Sequence, residues 1–326
     1  MMQIVLISLG AGATSALLFA SIASGTTLSF LLANFAQLPI MIAAVGWTHL
    51  AGLAALLIAS AGLAVTLGSA IAFVFFISIG LPAWWIGYLA LLARAGADGA
   101  TEWYPVGRIV VWTAILSAAV TLASMLRYGL DLEAMQAGLR RELEHALRFL
   151  TGAAGDAPLL LPGVREPERL LDLLTLLVPP MKAAALTATS LVNLWLAGRI
   201  VQTSGRLRRP WPAIAAMAFP SFAPAALAVA VALTFLPDLL GLAGGMFAAS
   251  MLFAYALLGF AVLHAVTAGI TGRRVMLTGL YLSVVLFGWP LLLVSGVGLV
   301  ETLASLRARV AARHAPPPSP NRQNPE

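Results

Sequence analysis

Few side chains in this 326-residue sequence have the chemistry to make or break a covalent bond. Histidine occurs four times and cysteine not at all. That removes a thiolate nucleophile, a disulfide frame and any cysteine-held zinc or iron–sulfur site. A zinc protease needs two histidines one helical turn apart with a glutamate beside the first. Glu144-His145 comes nearest, and no second histidine stands at the required spacing. A paired-aspartate protease within the membrane needs two buried acids, whereas the acids here lie in polar stretches or near the ends of apolar ones. No Gly-Lys-Ser/Thr string marks a phosphate-binding loop. The sequence predicts a protein that is not an enzyme, with no catalytic residue, cofactor or metal.

Asp98-Gly99-Ala100 resembles the Asp-Gly opening of the CDP-alcohol phosphotransferase signature. The later aspartates that hold the metals of that signature are missing, because no acid lies between Glu102 and Asp131.

Recognition is the chemistry that remains. Polar groups inside apolar helices are costly and usually face a neighbouring helix or a cavity. Asn34 and Gln37 are three residues apart, on one face of a helix. Asn193 sits at similar depth in a later apolar run, with Trp195 beside it. Two roles are open to this set. Asn34, Gln37, Asn193 and Trp195 can hydrogen-bond and stack on a small polar solute, or the amides can join helices as packing contacts. On the first role, Asn193→Leu abolishes solute binding in a folded protein. His49 and His264 read as interface or packing residues, since no intramembrane carboxylate stands by as a proton partner. Lys182 reads as a snorkelling side chain, and Glu301 as a cap or a partner for Arg307.

Composition fixes the surroundings of these residues. Hydrophobic residues make up 60% and charged residues 10% of the chain, against about 25% charged in a soluble domain. Mean hydropathy is +0.94, and the first charged side chain is Arg94. A soluble enzyme, a nucleic-acid-binding domain and a disordered protein are excluded. The surplus of 19 basic over 13 acidic residues lies at helix ends, where arginine sets topology and meets anionic headgroups.

A spanning helix needs about 20 apolar residues. On that measure the sequence predicts an all-α polytopic membrane bundle of 8–9 transmembrane helices. Spans fall near 3–23 (an uncleaved first helix), 27–46, 49–67, 69–93, 108–127, 181–202 and 213–236, then within 241–270 and 275–300. Residues 1–312 form the membrane domain and 313–326 a disordered, proline-rich tail. An extramembrane helical insert occupies about 128–175. Within it Leu132, Met135, Leu139, Leu143, Ala146 and Leu150 recur at the period of an amphipathic helix. A Gly/Pro-rich loop follows over 151–162, then a short helix over 166–178.

Arg199, Arg206, Arg208 and Arg209 have no acid nearby in sequence, which places their loop in the cytoplasm and the insert outside. Nine spans would then put Arg307, Arg309 and Arg313 outside, against the same rule. A break at Gly288-Trp289-Pro290, making the last segment a re-entrant pair, returns the tail to the cytoplasm; a missed or surplus break in 239–274 would do the same.

Pro179-Pro180, the run from Ser190 to Ile200, Gly205 to Pro212 and Gly298 to Arg309 together resemble the YybS-like family of uncharacterised bacterial integral membrane proteins, in its alphaproteobacterial form. That family is distantly similar to the substrate-binding subunits of energy-coupling-factor transporters and to the rod-shape protein MreD. The resemblance implies the bacterial inner membrane and a non-catalytic subunit binding a small solute for transport. In such subunits Ala-x-x-x-Ala on the first helix meets a coupling protein, and Ala16 and Ala20 match that pattern. The alternative it implies is an envelope scaffold in the manner of MreD, holding envelope-synthesis proteins through small-residue helix faces and the 131–150 helix. The chain departs from the transporter pattern in its larger number of spans and in the 128–175 insert.

Overall fold

The computed structural model describes residues 2–97, 99–152 and 163–314. Asp98, most of the expected 151–162 loop and all but the first two residues of the expected disordered tail lie outside the described residues. The chain is a helical bundle: α1 (Met2–Ala20), α2 (Thr27–Ala33), α3 (Gln37–Gly46), α4 (His49–Leu67), α5 (Ser69–Phe75), α6 (Leu81–Leu91), α7 (Val106–Met125), α8 (Leu132–Thr151), α9 (Pro167–Thr203), α10 (Ala223–Leu233), α11 (Asp238–Val266), α12 (Arg273–Phe287), α13 (Pro290–Ala304) and α14 (Leu306–His314). Its small antiparallel hairpin pairs β1 (Ala93–Ala95) with β2 (Thr101–Trp103).

Seven helical segments among the described residues are long and apolar enough to cross a membrane. They match the expected spans through residue 128, then the eighth and, extended, the sixth. Several are interrupted. Residues 34–36 form a turn between α2 and α3, and a π-helical turn at Phe76–Gly80 links α5 to α6 just before Pro82. Thr26 and Thr48 cap α2 and α4, their hydroxyls accepting from Ser29 N at 3.1 Å and Ala51 N at 3.2 Å.

Three expectations are corrected. The 166–178 helix and the 181–202 span are one 37-residue helix, α9, which runs through Pro179 and Pro180. Packing of α9 on α3, α7, α8 and α11 overrides the local cost of the prolines. The expected 213–236 span is a non-helical stretch followed by the 11-residue α10, with Pro220 ahead of the helix. The expected 275–300 span breaks at Gly288, whose φ of 71° is left-handed, into α12 and α13 of 15 residues each. Each of these is about 22 Å long, shorter than the roughly 30 Å core of a bilayer.

The bundle has two chemically distinct ends. At the insert end α8 begins on Asp131, whose carboxylate accepts from Ala134 N at 2.8 Å. It buries Met135 and Leu139 against Met125, Ala118, Ala183 and Met246. Arg140 pairs with Glu168 and Asp172 of α9, and Arg127 with Glu142. At the arginine end, the Arg206 guanidinium lies 4.7 Å from the Trp47 ring centroid. There too, Arg209 donates to the Ala90 carbonyl at 3.2 Å.

Candidate functional site: an apolar cavity with a donor-lined corner

The segment between α9 and α10 has no regular structure except a short 3-10 turn at Ile214–Ala216, yet it penetrates the bundle. Phe219 packs edge-on against Tyr255 with ring centroids 5.1 Å apart. Tyr255 lies eleven residues before the end of α11, about 16 Å along its axis. Gly107 permits the approach, since a Cβ there would overlap the Ala218 carbonyl oxygen. Non-helical backbone at such depth is tolerated where protein buries it or where it lines a cavity.

A cavity is what it lines. About 780 Å³ of half-open space is bordered by this segment with α3, α6, α7, α9, α11 and α12, within the roughly 300–1,000 Å³ range of small-molecule sites. Most of the wall is aliphatic, with Trp195, Trp211, Phe253, Phe260 and Tyr281 as its aromatic part. Arg199 stacks over Trp211 at 4.8 Å and Trp195 at 5.8 Å from the ring centroids.

The polar groups on the wall include Arg209, His264, Arg273 and Tyr281, and no lining residue is an aspartate or glutamate. Burial pushes the Arg209 guanidinium below its ordinary pKa, the direction expected of a partly desolvated cation. Arg273 Nη2 donates to the His264 carbonyl at 3.0 Å and lies 3.3 Å from His264 Nδ1. A guanidinium can only donate, so Nδ1 accepts and the ring proton sits on Nε2. Nε2 then donates to the Tyr281 hydroxyl oxygen, 2.8 Å away, leaving the tyrosine proton available. Arg273 Nε is buried and has no hydrogen-bond partner among the described residues.

The expected site residues do not gather here. Trp195 lines the cavity, whereas Asn34, Gln37 and Asn193 do not. Two residues on a helix are about 200° apart, so Trp195 and Asn193 face different ways from α9. Asn193 is 1% exposed; its Nδ2 donates to the Asn34 carbonyl at 2.9 Å and the Thr189 carbonyl at 2.8 Å. It thereby ties α9 to the turn that interrupts the second span. The Asn34 side chain serves its own helix, donating to the Phe30 carbonyl at 2.8 Å. Gln37 is buried, and among the described residues neither amide atom has a partner, the kind of group a water or ligand completes.

Outside the cavity, His49 packs on Tyr88 with centroids 5.3 Å apart, and Lys182 donates to the Ser124 hydroxyl at 3.3 Å. Glu301 pairs with Arg307 at 2.8 Å. Sequence reasoning used Arg209 as a topology marker and His264 as packing, and passed over Tyr281. Nothing in a linear pattern links residues separated by a span and a hairpin. Among the described residues no three histidines or carboxylates gather as a metal would require.

Fold and site together define a polytopic helical membrane protein with a mostly apolar cavity at one end. No family model, curated protein or solved structure matches the chain.

Proposed function

We propose that this is a non-catalytic subunit of the bacterial inner membrane that binds a small, largely apolar molecule for transport. The observation that carries this reading is the irregular 204–222 segment, which enters the bundle and walls an apolar cavity instead of closing the helix packing. In this reading the binding residues are those around Trp195 and Trp211, and Asn34, Gln37 and Asn193 support the helices. Seven spans cross the membrane, while α10 and the α12–α13 hairpin penetrate part-way. The arginine end faces the cytoplasm, and movement of the solute across the bilayer falls to a separate coupling protein.

The scaffold reading drew on the apolar stripe of the insert. Met135 and Leu139 of that stripe are buried within the chain, which favours solute binding over partner docking. The test is purification from native membranes in mild detergent, with mass spectrometry of everything retained. Wild type is expected to carry a small molecule that Ala188→Trp, which fills the cavity, does not. Envelope-synthesis proteins co-eluting with both forms, and no retained molecule in either, would replace this reading with the scaffold.

A further inference from the structure

We infer that the cavity's ligand is an anionic amphiphile, an apolar tail carrying a phosphate-like headgroup, and that Arg209, Arg273 and Tyr281 receive the headgroup. The inference deepens the proposed function and rests on it. Its carrying observation is a mismatch of donors and acceptors. On the cavity wall Arg209 offers guanidinium N–H groups beyond the one given to Ala90, Arg273 offers a guanidinium of which Nη2 is held by His264, and Tyr281 offers its O–H. All are donors, two are cations, and no carboxylate lines the cavity to balance them. Both arginines are partly withdrawn from solvent without an acidic partner, so an anionic ligand gains there what a neutral one does not. A free anion would satisfy those donors but leave the aliphatic wall empty. A molecule with a tail in the wall and an anionic oxygen cluster at the donors meets both demands, and charged donors bind such oxygens strongly.

Arg273 is held by the protein itself. Its bonds to the His264 carbonyl and Nδ1 fix the guanidinium, and the same histidine orients the Tyr281 hydroxyl. His264 is therefore a positioning residue. Arg208 is exposed and does not line the cavity, so it reports the general attraction of this face for anionic lipid.

The test uses the full chain in neutral detergent, with intrinsic tryptophan fluorescence as readout and three probes: dioctanoyl phosphatidic acid, dioctanoylglycerol and inorganic phosphate. Phosphatidic acid is expected to bind tightest, and Arg209→Gln and Arg273→Gln each to weaken it by about tenfold or more. Arg208→Gln should leave it unchanged, and dioctanoylglycerol should bind weakly and equally to every form. Equal binding of the two lipids, indifferent to both cavity arginines, overturns the headgroup assignment while the apolar cavity still stands. Inorganic phosphate competing as well as the lipid overturns the tail. If neither lipid binds wild type, the anionic amphiphile falls, and retention by wild type against Ala188→Trp decides the cavity reading separately. Unchanged thermal melts of the glutamine variants exclude misfolding as the cause of lost binding.

Discussion

Arg307 joins three parts of the chain, and removing it gives the sharpest test of how the cavity is held. Its Nε donates to Glu301 at 2.8 Å and its backbone N to the same carboxylate at 3.0 Å. Nη1 and Nη2 donate to the carbonyls of Ala215 and Met217 at 2.6 and 2.8 Å, in the segment that walls the cavity. Arg307→Gln strips Glu301, whose side chain is 10% exposed, of its counter-charge and frees two carbonyls. Breaking a buried pair costs about 3–5 kcal/mol. The Arg307 side chain is 20% exposed, so screening favours the lower end, about 3 kcal/mol. At roughly 2 °C per kcal/mol for a large chain, the melt should fall by about 6 °C. Glu301→Gln should cost less, about 1–2 kcal/mol, because both carbonyl bonds survive. The double variant should melt above Arg307→Gln alone, since no orphaned carboxylate remains. With no native cysteine in the chain, a single Met217→Cys reports the segment directly: maleimide should label it slowly in wild type and quickly beside Arg307→Gln. A melt within about 1 °C of wild type with Cys labelling still slow would refute the strut.

Three further outcomes follow from packing. Asn193→Leu should cost about 1 kcal/mol, in line with interhelical hydrogen bonds in membranes, and leave the retained ligand unchanged; a stable variant that loses its ligand would return Asn193 to the binding site. Leu139→Glu places a charge where the side chain is 7% exposed and should dislodge α8. Limited proteolysis should then cut within 128–152, and an unchanged cleavage pattern would show that α8 is held without its apolar face. Gly259→Ala sets a Cβ against the Val294 carbonyl oxygen, overpacking the α11–α13 contact by about 1–3 kcal/mol. A melt equal to wild type would mean that α13 docks less closely than its glycines imply.

The apolar runs up to residue 128 were legible because charge is absent from the first four and confined to the ends of the fifth, so length decides a span. Amphipathic α8 was legible from Leu132, Met135 and Leu139 at helical spacing, and Glu301 with Arg307 from a charge pair in an apolar setting. What failed had one cause: proline and glycine report local cost, while packing decides the outcome. Pro179-Pro180 reads as a break, yet α9 continues because three or more helices pack along it. Pro220 reads as an interruption inside a span, yet it precedes a helix too short to cross, while the break offered at Gly288-Trp289-Pro290 forms and leaves α12 and α13 too short as well. The same limit hid the cavity. Arg209 shares a cavity with His264, Arg273 and Tyr281 only because the 204–222 segment folds inward and α12 turns back along α11. Asn193 drew attention by its chemistry, but the Asn34 carbonyl exposed by the break after α2 already occupies its donor.

The course of the last two helices bears on which charges share a side. Tyr281 of α12 stacks on Phe260 at 4.9 Å, and Ser295 of α13 donates to the Leu252 carbonyl at 2.8 Å. Both helices therefore lie along the C-terminal part of α11, and Arg307 emerges among the carbonyls of the 213–217 segment. The hairpin leaves at the end where it entered, as the break at Gly288-Trp289-Pro290 requires. Arg273, Arg274 and Arg307 thus share an end with Arg199, Arg206, Arg208 and Arg209. Ion pairs form at both ends, with Arg94–Glu102 and Arg307–Glu301 on the arginine side. Arg127, Arg140 and Arg148 of the insert end all meet carboxylates. Arg199, Arg206, Arg208, Arg209, Arg273 and Arg274 make no ion pair among the described residues. Six arginines without an acidic partner suit that face to anionic headgroups, and two of them lie in the cavity wall. The charge that orients the protein and the charge that would select an anionic ligand therefore belong to one surface.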